Sequence, residues 1–307
     1  MKIKFYKSLT AKIFVLIAIC LVLAISANSW QNGKTFYQFL NNQIKTDIMQ
    51  KTQNTSNFIA SILENIASQI SIVMHSVSPL PDNNIMPYVK SFVSSNSEYV
   101  VFQIVKQKLT KKPKTIGIAI TDNILDTRFE NKKPDKLLTQ IEKINRNWIK
   151  NIKNTETSNL FIKNLYNDVG IPLTSYAIPF YVTNKDEYRW AILTTWQTRI
   201  LNDLPQTKLK SSMVLTKSGK LLFSPNKNFW NNTSIINKIP LVKNALDNKL
   251  SSFGFNWWTD PTTNTSWFGA YSKVQGQDLI VIIISEASLV QRTIKNLILK
   301  NLLYAML

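Results

Sequence analysis

The chain has 307 residues, 44% of them hydrophobic and 18% charged, and its 37 Lys and Arg against 18 Asp and Glu give a formal net charge of +19. One Cys and one His exclude an internal disulfide and a Cys/His zinc site, and the seven glycines form neither a Rossmann turn nor a P-loop. We therefore expect no metal and no cofactor. The lysines are scattered and form no continuous basic stripe, so no nucleic-acid partner is expected.

Residues 1–30 predict a cytoplasmic tip and a transmembrane anchor. Residues 1–12 carry four lysines and no acid, and residues 13–27 are all apolar or small. As a helix, residues 9–30 span about 33 Å, enough to cross a hydrocarbon core of about 30 Å. The lysines mark the cytoplasmic side, so the chain after Trp30 is expected outside the cytoplasm, anchored in the cytoplasmic membrane.

A cleaved signal peptide is the alternative to the anchor, because Ser26, Ala27 and Ser29 are small enough for a cleavage site. The next segment favours the anchor, since the helical pattern continues through residues 31–80 without a break. Apolar or semi-apolar residues recur there in steps of three and four from Tyr37 to Val77. A stripe of this length can form a homodimer with a second copy or lie across a sheet.

After Pro81 the period changes and predicts an α+β region of two antiparallel-sheet domains in tandem, residues 81–205 and 206–290. In the first domain we predict strands at 99–105, 116–121, 160–165, 174–183 and 188–197, with a helix at 135–153. In the second domain we predict strands at 211–216, 220–224, 252–258, 266–273 and 279–285, with a helix at 240–250. Residues 291–307 are again apolar, and begin either a second membrane helix or an interfacial helix.

This layout is similar to that of the double Cache sensors, which carry two PAS-like domains outside the membrane. Residues 214–222 resemble the opening hairpin of the family's membrane-proximal domain, and residues 268–274 and 279–284 resemble its two closing strands. The resemblance implies a sensory region that binds a small molecule in the membrane-distal domain. It also implies signalling through the membrane helices to an output such as a histidine kinase or a chemoreceptor.

The resemblance also implies a set of ligand-binding residues. Family members that bind amino acids carry an Arg-x-Trp-Tyr sequence and then a Tyr-x-Asp in the distal domain. Here Arg146 and Trp148 stand at similar places to the first sequence, and Tyr166 and Asp168 to the second.

Two departures from the family pattern bear on the ligand. Ile149 replaces the tyrosine after the Trp, and Thr195 stands where the family has an Asp that pairs with a ligand ammonium. Arg146 without an acidic partner at position 195 favours a carboxylate or other anionic ligand over a zwitterion.

The four residues also have chemistry of their own. Arg146 offers a bidentate fork for a carboxylate, Trp148 an apolar wall and Asp168 an acceptor. The ordinary structural alternative is that Trp148 belongs to the core, Arg146 pairs with Glu142 one turn earlier, and Asp168 starts a turn. Two residues apart on a helix lie about 200° apart, so Arg146 and Trp148 share a pocket only where the helix ends or unwinds.

No catalytic residue is predicted. His75 is the only candidate histidine base and no serine is arranged with it, so an exported hydrolase is not expected. We expect the extracytoplasmic ligand-sensing region of a membrane receptor. The alternative is a secreted or membrane-tethered binding protein without a signalling output.

Overall fold

A computed structural model of the chain describes residues 9–107, 113–121, 134–152, 160–182, 187–207, 210–231, 233–247, 251–261, 263–288, 296 and 299–300. It begins with one helix, α1 (Leu9–Val77), whose 69 residues extend for about 100 Å. The predicted tip, residues 1–8, and nearly all of the predicted carboxy-terminal helix, residues 291–307, lie outside the described residues.

The first part of α1 exposes its apolar side chains. Eight of them are 50% to 71% exposed: Ile13, Phe14, Val15, Leu16, Ile17, Ile19, Leu21 and Leu23. Among the described residues, α1 is the one helix long and apolar enough to cross a membrane. The stretch that meets this criterion lies within Gln31–Val77, but that part of α1 also packs against both sheets. The exposed apolar stretch is therefore the better candidate for crossing a bilayer.

A short 3-10 helix (Asp82–Asn84) and α2 (Met86–Ser94) lead from α1 into the first domain. Its strands are β1 (Tyr99–Gln107), β2 (Lys114–Ile120), β3 (Phe161–Asn164), β4 (Leu173–Val182) and β5 (Glu187–Trp196). They form an antiparallel sheet in the order β2-β1-β5-β4-β3. Helices α1 and α2 pack on one face and α3 (Pro134–Lys150) on the other.

The remaining helices of this domain are short: α4 (Tyr166–Val169) and α5 (Thr198–Asp203). Side chains alternate along each strand, so Phe102 and Ile104 of β1 face α1 while Val101 and Val105 face α3.

The second domain repeats the architecture. Its strands are β6 (Lys210–Thr216), β7 (Leu221–Phe223), β8 (Phe253–Thr259), β9 (Ser266–Lys273) and β10 (Leu279–Glu286), in the order β7-β6-β10-β9-β8. Helices α6 (Lys227–Asn231), α7 (Thr233–Asn237) and α8 (Pro240–Asp247) lie on the face opposite α1. At Gly269 helix α8 comes so close that a Cβ would lie 2.7 Å from Leu241 Cδ2 and 2.7 Å from the Ile283 carbonyl oxygen. The packing there requires glycine.

Helix α1 unites the two domains. One apolar cluster contains Ile59 and Ile70 of α1, Leu193 of the first sheet and Val214 and Val281 of the second. Burial of this continuous surface stabilises both sheets against the same helix.

The domains also touch directly, beside α1. The Asn164 side chain at the end of β3 donates a hydrogen bond to the Leu222 carbonyl oxygen of β7. The ring of Tyr166 in α4 packs against Trp230 of α6, with centroids 5.4 Å apart.

The predicted α+β fold with two antiparallel sheets is confirmed, and every predicted strand is present with both ends within two residues of the expected bounds. Five short helices were not predicted: α2, α4, α5, α6 and α7. Helix α2 has a Pro in its first turn, where the missing N–H costs no hydrogen bond. Where a turn is expected after β3, the chain forms the single turn of α4, which Gly170 ends with a φ of 74°.

Candidate ligand-binding site

A cluster of buried polar side chains lies between α3 and the first sheet. Gln103 of β1, Ser175 of β4 and Thr194 of β5 point towards α3, and Asn145 of α3 points back at them; all four are 0% exposed. Burying polar groups is unfavourable unless they find partners. The role of the cluster therefore depends on which hydrogen bonds its side chains make.

At the outer end of the cluster the bonds are short. The Thr115 hydroxyl donates to Glu142 Oε1 at 2.7 Å, and Gln103 Nε2 donates to the Thr115 oxygen at 3.1 Å. Arg146 NH1 lies 3.7 Å from the same Glu142 oxygen. This end is therefore charged and well bonded.

At the inner end the bonds are loose. Asn145 Nδ2 lies 3.4 Å from both Gln103 Oε1 and Thr194 Oγ1, longer than the usual 2.9–3.0 Å, while the Ser175 and Thr194 hydroxyls are 2.8 Å apart. Asn145 Oδ1 is buried and has no hydrogen-bond partner in the described structure. An unmet buried acceptor costs about 1–3 kcal/mol, which a bound donor would recover.

Apolar side chains surround the cluster. Val101 and Ile141 belong to an apolar group at one side, and Val105, Trp190 and Ile192 to a second group at the other. Hydrogen bonds in such low-dielectric surroundings are stronger than in water, so a matching ligand gains more here than on the surface.

The second domain is apolar at the corresponding place. Because the two sheets have the same strand order, β6, β9 and β10 correspond to β1, β4 and β5. Their inward residues include Leu215, Tyr271 and Ile282, which form one hydrophobic cluster with Leu241 of α8. The fold therefore does not require polar groups beneath its helix, and those of the first domain need a separate explanation.

The sequence-predicted residues Arg146 and Trp148 lie on different sides of α3, which continues through both without unwinding. Arg146 pairs with Glu142 and so lies at the outer end of the polar cluster. Trp148 packs against the apolar group that contains Ile149 and Trp190.

Tyr166 and Asp168 lie together on α4, directly after β3, whose Lys163 stands opposite Ser175 of the cluster. Tyr166 packs against Trp230 of the second domain, and the Asp168 carboxylate pairs with Lys163 Nζ at 3.1 Å. The Asp168 carbonyl oxygen accepts a hydrogen bond from Gln140 Nε2 of α3 at 2.9 Å. These two residues therefore connect α3 to the contact between the domains.

Thr195 faces α1, on the other side of the sheet from the polar cluster. It lines a cavity of about 30 Å³ with Tyr176 and Arg199, room for about two water molecules. Burial raises the pKa of the Tyr176 hydroxyl, which is hydrogen-bonded to Thr195. Because side chains alternate, the neighbouring Thr194 is the β5 residue that faces α3.

A larger cavity, of about 630 Å³, lies between the domains and is lined by Phe161, Ile162, Lys217 and Asp278 among others. Lys217 and Asp278 pair with each other at 2.6 Å, and their side chains are 70% and 78% exposed. Flexible, hydrated groups of this kind select a ligand poorly. The buried cluster under α3 is the better candidate site.

The sequence interpretation missed Gln103, Asn145, Ser175 and Thr194. A signal for them exists: Asn145 lies four residues from Ile141 and from Ile149, so it interrupts the buried stripe of α3. Gln103 likewise stands between Val101 and Val105 on the inward face of β1. A polar residue at a core position of a helix or strand is the pattern to look for.

The arrangement supports binding by hydrogen bonds. The Thr194 hydroxyl is hydrogen-bonded to the Ser175 hydroxyl and to the Asn145 amide, and neither of these partners is a base that could take up its proton. In the described part of the chain no three His, Cys, Asp or Glu side chains come together as a metal site.

No protein-family profile and no curated protein sequence matches the chain. Solved structures match its fold. The extracellular domain of the candidate histidine kinase rpHK1S-Z16 is 12% identical, with a TM-score of 0.53 over 81% of this chain and 97% of that one. The corresponding domain of soHK1S-Z6 is 13% identical, with a TM-score of 0.53 over 84% and 99%.

The ligand-binding domain of the Campylobacter jejuni chemoreceptor Tlp3, solved with L-valine, is 14% identical, with a TM-score of 0.51 over 83% of this chain and 97% of that one. At such low identity the likeness concerns the fold. The chain shares its fold with these extracellular and ligand-binding domains, in agreement with the fold that the resemblance to the double Cache family implies.

Proposed function

We propose that this chain is the extracytoplasmic ligand-sensing region of a bacterial inner-membrane receptor, and that it binds a small molecule between α3 and the first sheet. The observation that supports this proposal is Asn145 Oδ1, a buried acceptor without a partner, within a polar cluster that has no counterpart in the described part of the second domain. The fold shared with sensory domains supports the same conclusion.

The ligand enters by separating α3 from the sheet at the loose inner hydrogen bonds of Asn145. We propose that it carries a carboxylate, which Arg146 binds at the outer end of the cluster, while a donor group of the ligand satisfies Asn145. Trp148, Tyr166 and Asp168 then act around the site rather than at its centre.

Movement of α3 reaches the second domain through side chains already in contact. Gln140 of α3 donates a hydrogen bond to the Asp168 carbonyl oxygen, and Tyr166 on the same helix α4 packs against Trp230. Both domains share α1, so a change in their relative position moves the helix that we propose enters the membrane. Such coupling passes a binding event to an output beyond the membrane.

The binding experiment uses the full chain in detergent or nanodiscs and a panel of amino acids, hydroxy acids and short dicarboxylic acids. Stabilising compounds should lose their thermal shift with Arg146→Ala and with Asn145→Leu, while Lys143→Ala, on the exposed side of α3, retains it. The ligand-free melting temperature should barely change with Arg146→Ala. If no compound stabilises the chain, or if Asn145→Leu responds like the parent, the proposed site is wrong.

The membrane orientation has its own test. Alkaline phosphatase fused after Ser78 should be active, because we propose that α1 carries its second half out of the cytoplasm. A soluble mature protein beginning near Ala27 would instead identify a cleaved signal peptide.

We also propose a homodimer through α1, because Phe36, Tyr37 and Phe39 are 40%, 42% and 60% exposed between the apolar stretch and the sheets. Cys20 is the only cysteine, so a Cys20→Ser chain carrying Phe39→Cys provides a single cross-linking site. A disulfide-linked dimer is expected in membranes, and a monomer under oxidising conditions would rule out this contact.

A further inference from the structure

The direction of the hydrogen bonds in the polar cluster follows from the carboxylate at its outer end. Glu142 accepts but does not donate hydrogen bonds as a carboxylate. The Thr115 hydroxyl, 2.7 Å from Glu142 Oε1, must therefore donate its one proton to that oxygen. Towards every other neighbour, the Thr115 oxygen can only accept.

This constraint passes inward to Gln103. The Gln103 atom 3.1 Å from the Thr115 oxygen has to be the amide nitrogen, because a carbonyl oxygen there would face a second acceptor. The carbonyl oxygen Oε1 of Gln103 must then point the other way, towards Asn145.

The same reasoning fixes Asn145. The atom 3.4 Å from Gln103 Oε1 has to be the nitrogen, which also lies 3.4 Å from Thr194 Oγ1. Reversing the Asn145 amide would bring two carbonyl oxygens together without a proton between them. Asn145 Oδ1 is therefore turned away from the chain of bonds, and it is buried with no hydrogen-bond partner among the described residues.

We propose that Glu142 is a positioning residue that sets the polarity of the site through Thr115 and Gln103, so that Asn145 presents a lone acceptor to the ligand. The inference rests on the proposed function and deepens it. The group bound at Asn145 must carry an N–H or O–H: a hydroxyl, an amide or an ammonium. A group of the same shape that only accepts hydrogen bonds is rejected by about ten- to hundredfold, because two acceptors would meet in a buried site.

Replacing Glu142 by Gln makes the prediction specific. The amide that Glu142→Gln introduces can donate to Thr115, which frees the threonine proton for Gln103 and allows both Gln103 and Asn145 to reverse. The Asn145 amide nitrogen then faces the ligand, so the site accepts either kind of group. The matched control is Asp135→Asn, which removes the same charge from the exposed first turn of α3.

The test measures binding of paired 2-hydroxy and 2-keto acids, such as lactate with pyruvate and 2-hydroxyisovalerate with 2-ketoisovalerate, to the full chain by calorimetry. The parent and Asp135→Asn should prefer the hydroxy acid by about tenfold or more, and Glu142→Gln should reduce the preference to about threefold or less. An unchanged preference in Glu142→Gln, or equal loss of affinity for both acids, would overturn the proposal, since a merely structural Glu142 would affect both alike.

A ligand-free measurement separates this inference from the proposed function. Side-chain amide NMR should detect the Asn145 NH₂ protons close to the Thr194 methyl group in the parent, and lose that contact in Glu142→Gln. If this NMR contact is present but none of the tested acids binds, the proposed function is wrong, whereas the proposed direction of the hydrogen bonds is correct. If the NH₂ protons point away from Thr194 in the parent, the bond order is wrong whatever binds.

Discussion

Asp82 should stabilise the first domain far more than its surface position suggests. It lies in the 3-10 helix after α1, where its Oδ1 is 3.0 Å from the NH2 of Arg189 and its Oδ2 is 3.3 Å from Lys106 Nζ. The Arg189 side chain is 0% exposed and that of Asp82 is 37% exposed. Asp82→Asn removes the charge beside a buried guanidinium while keeping the shape of the side chain.

Removing one partner of a buried ion pair costs about 3–5 kcal/mol, because a charge is left in low-dielectric surroundings. Water reaches Asp82 from one side and screens the pair, so we expect a loss of about 2–3 kcal/mol. In a domain of this size, about 1 kcal/mol shifts the melting temperature by about 2–4 °C. The expected decrease is therefore about 5–10 °C.

The control is Asp278→Asn in the second domain. Its pair with Lys217 is shorter, at 2.6 Å, but the two side chains are 70% and 78% exposed. An exposed pair contributes less than about 1 kcal/mol, so the melting temperature should fall by no more than about 4 °C. Both variants are followed by circular dichroism during heating. If Asp278→Asn costs as much as Asp82→Asn, then distance rather than burial decides, and the reasoning is refuted.

Burial raises the pKa of Tyr176 above its ordinary value of about 10, so the unfolded chain loses this proton first and stability should fall as pH rises beyond about 10. Urea unfolding between pH 8 and 11 should give a flatter alkaline limb for Tyr176→Phe, and an unchanged slope would contradict this. Gly269→Ala should lower the free energy of unfolding by about 1–3 kcal/mol, because a Cβ would meet backbone at 2.7 Å. The control Gly117→Ala places its Cβ 3.2 Å from a side-chain methyl and should lower it less. Equal unfolding midpoints for the two variants would argue against the close approach of α8. Trp230→Leu should cost about 0.5–1.5 kcal/mol through its ring contact with Tyr166, and should cost less in a Tyr166→Leu background; additive losses would mean that the rings do not interact.

Much of the fold follows from local patterns that survive in a single sequence. Strands such as β9 and β10 were predicted almost to the residue, because β-branched and aromatic runs end at turn residues such as Gly276, whose φ is 71°. Helix α2 and the turn α4 were missed. Their start and end depend on caps and single turns rather than on a long period.

The site was harder to predict because it depends on which face of each element is buried. Thr194 and Thr195 are the same type of residue, so the sequence does not tell them apart, yet only Thr194 faces α3. Asn145 lies beside the predicted Arg146, but its role depends on contacts with β1 and β5 that are more than forty residues away. Periodicity identifies the stripe, whereas only tertiary contacts identify which polar residue within it lacks a partner.

The unbroken course of α1 fixes the helical phase between its exposed apolar stretch and Ile48, which is buried against the second sheet. Each residue of an α-helix turns the chain by about 100° and advances it by about 1.5 Å. Deleting one residue within 31–43 therefore rotates the apolar stretch by about 100° relative to both domains. Deleting seven shortens the helix by about 10 Å but restores the phase to within about 20°. Deletions in this one helix can thus change the rotation of the two domains relative to the apolar stretch independently of their distance from it.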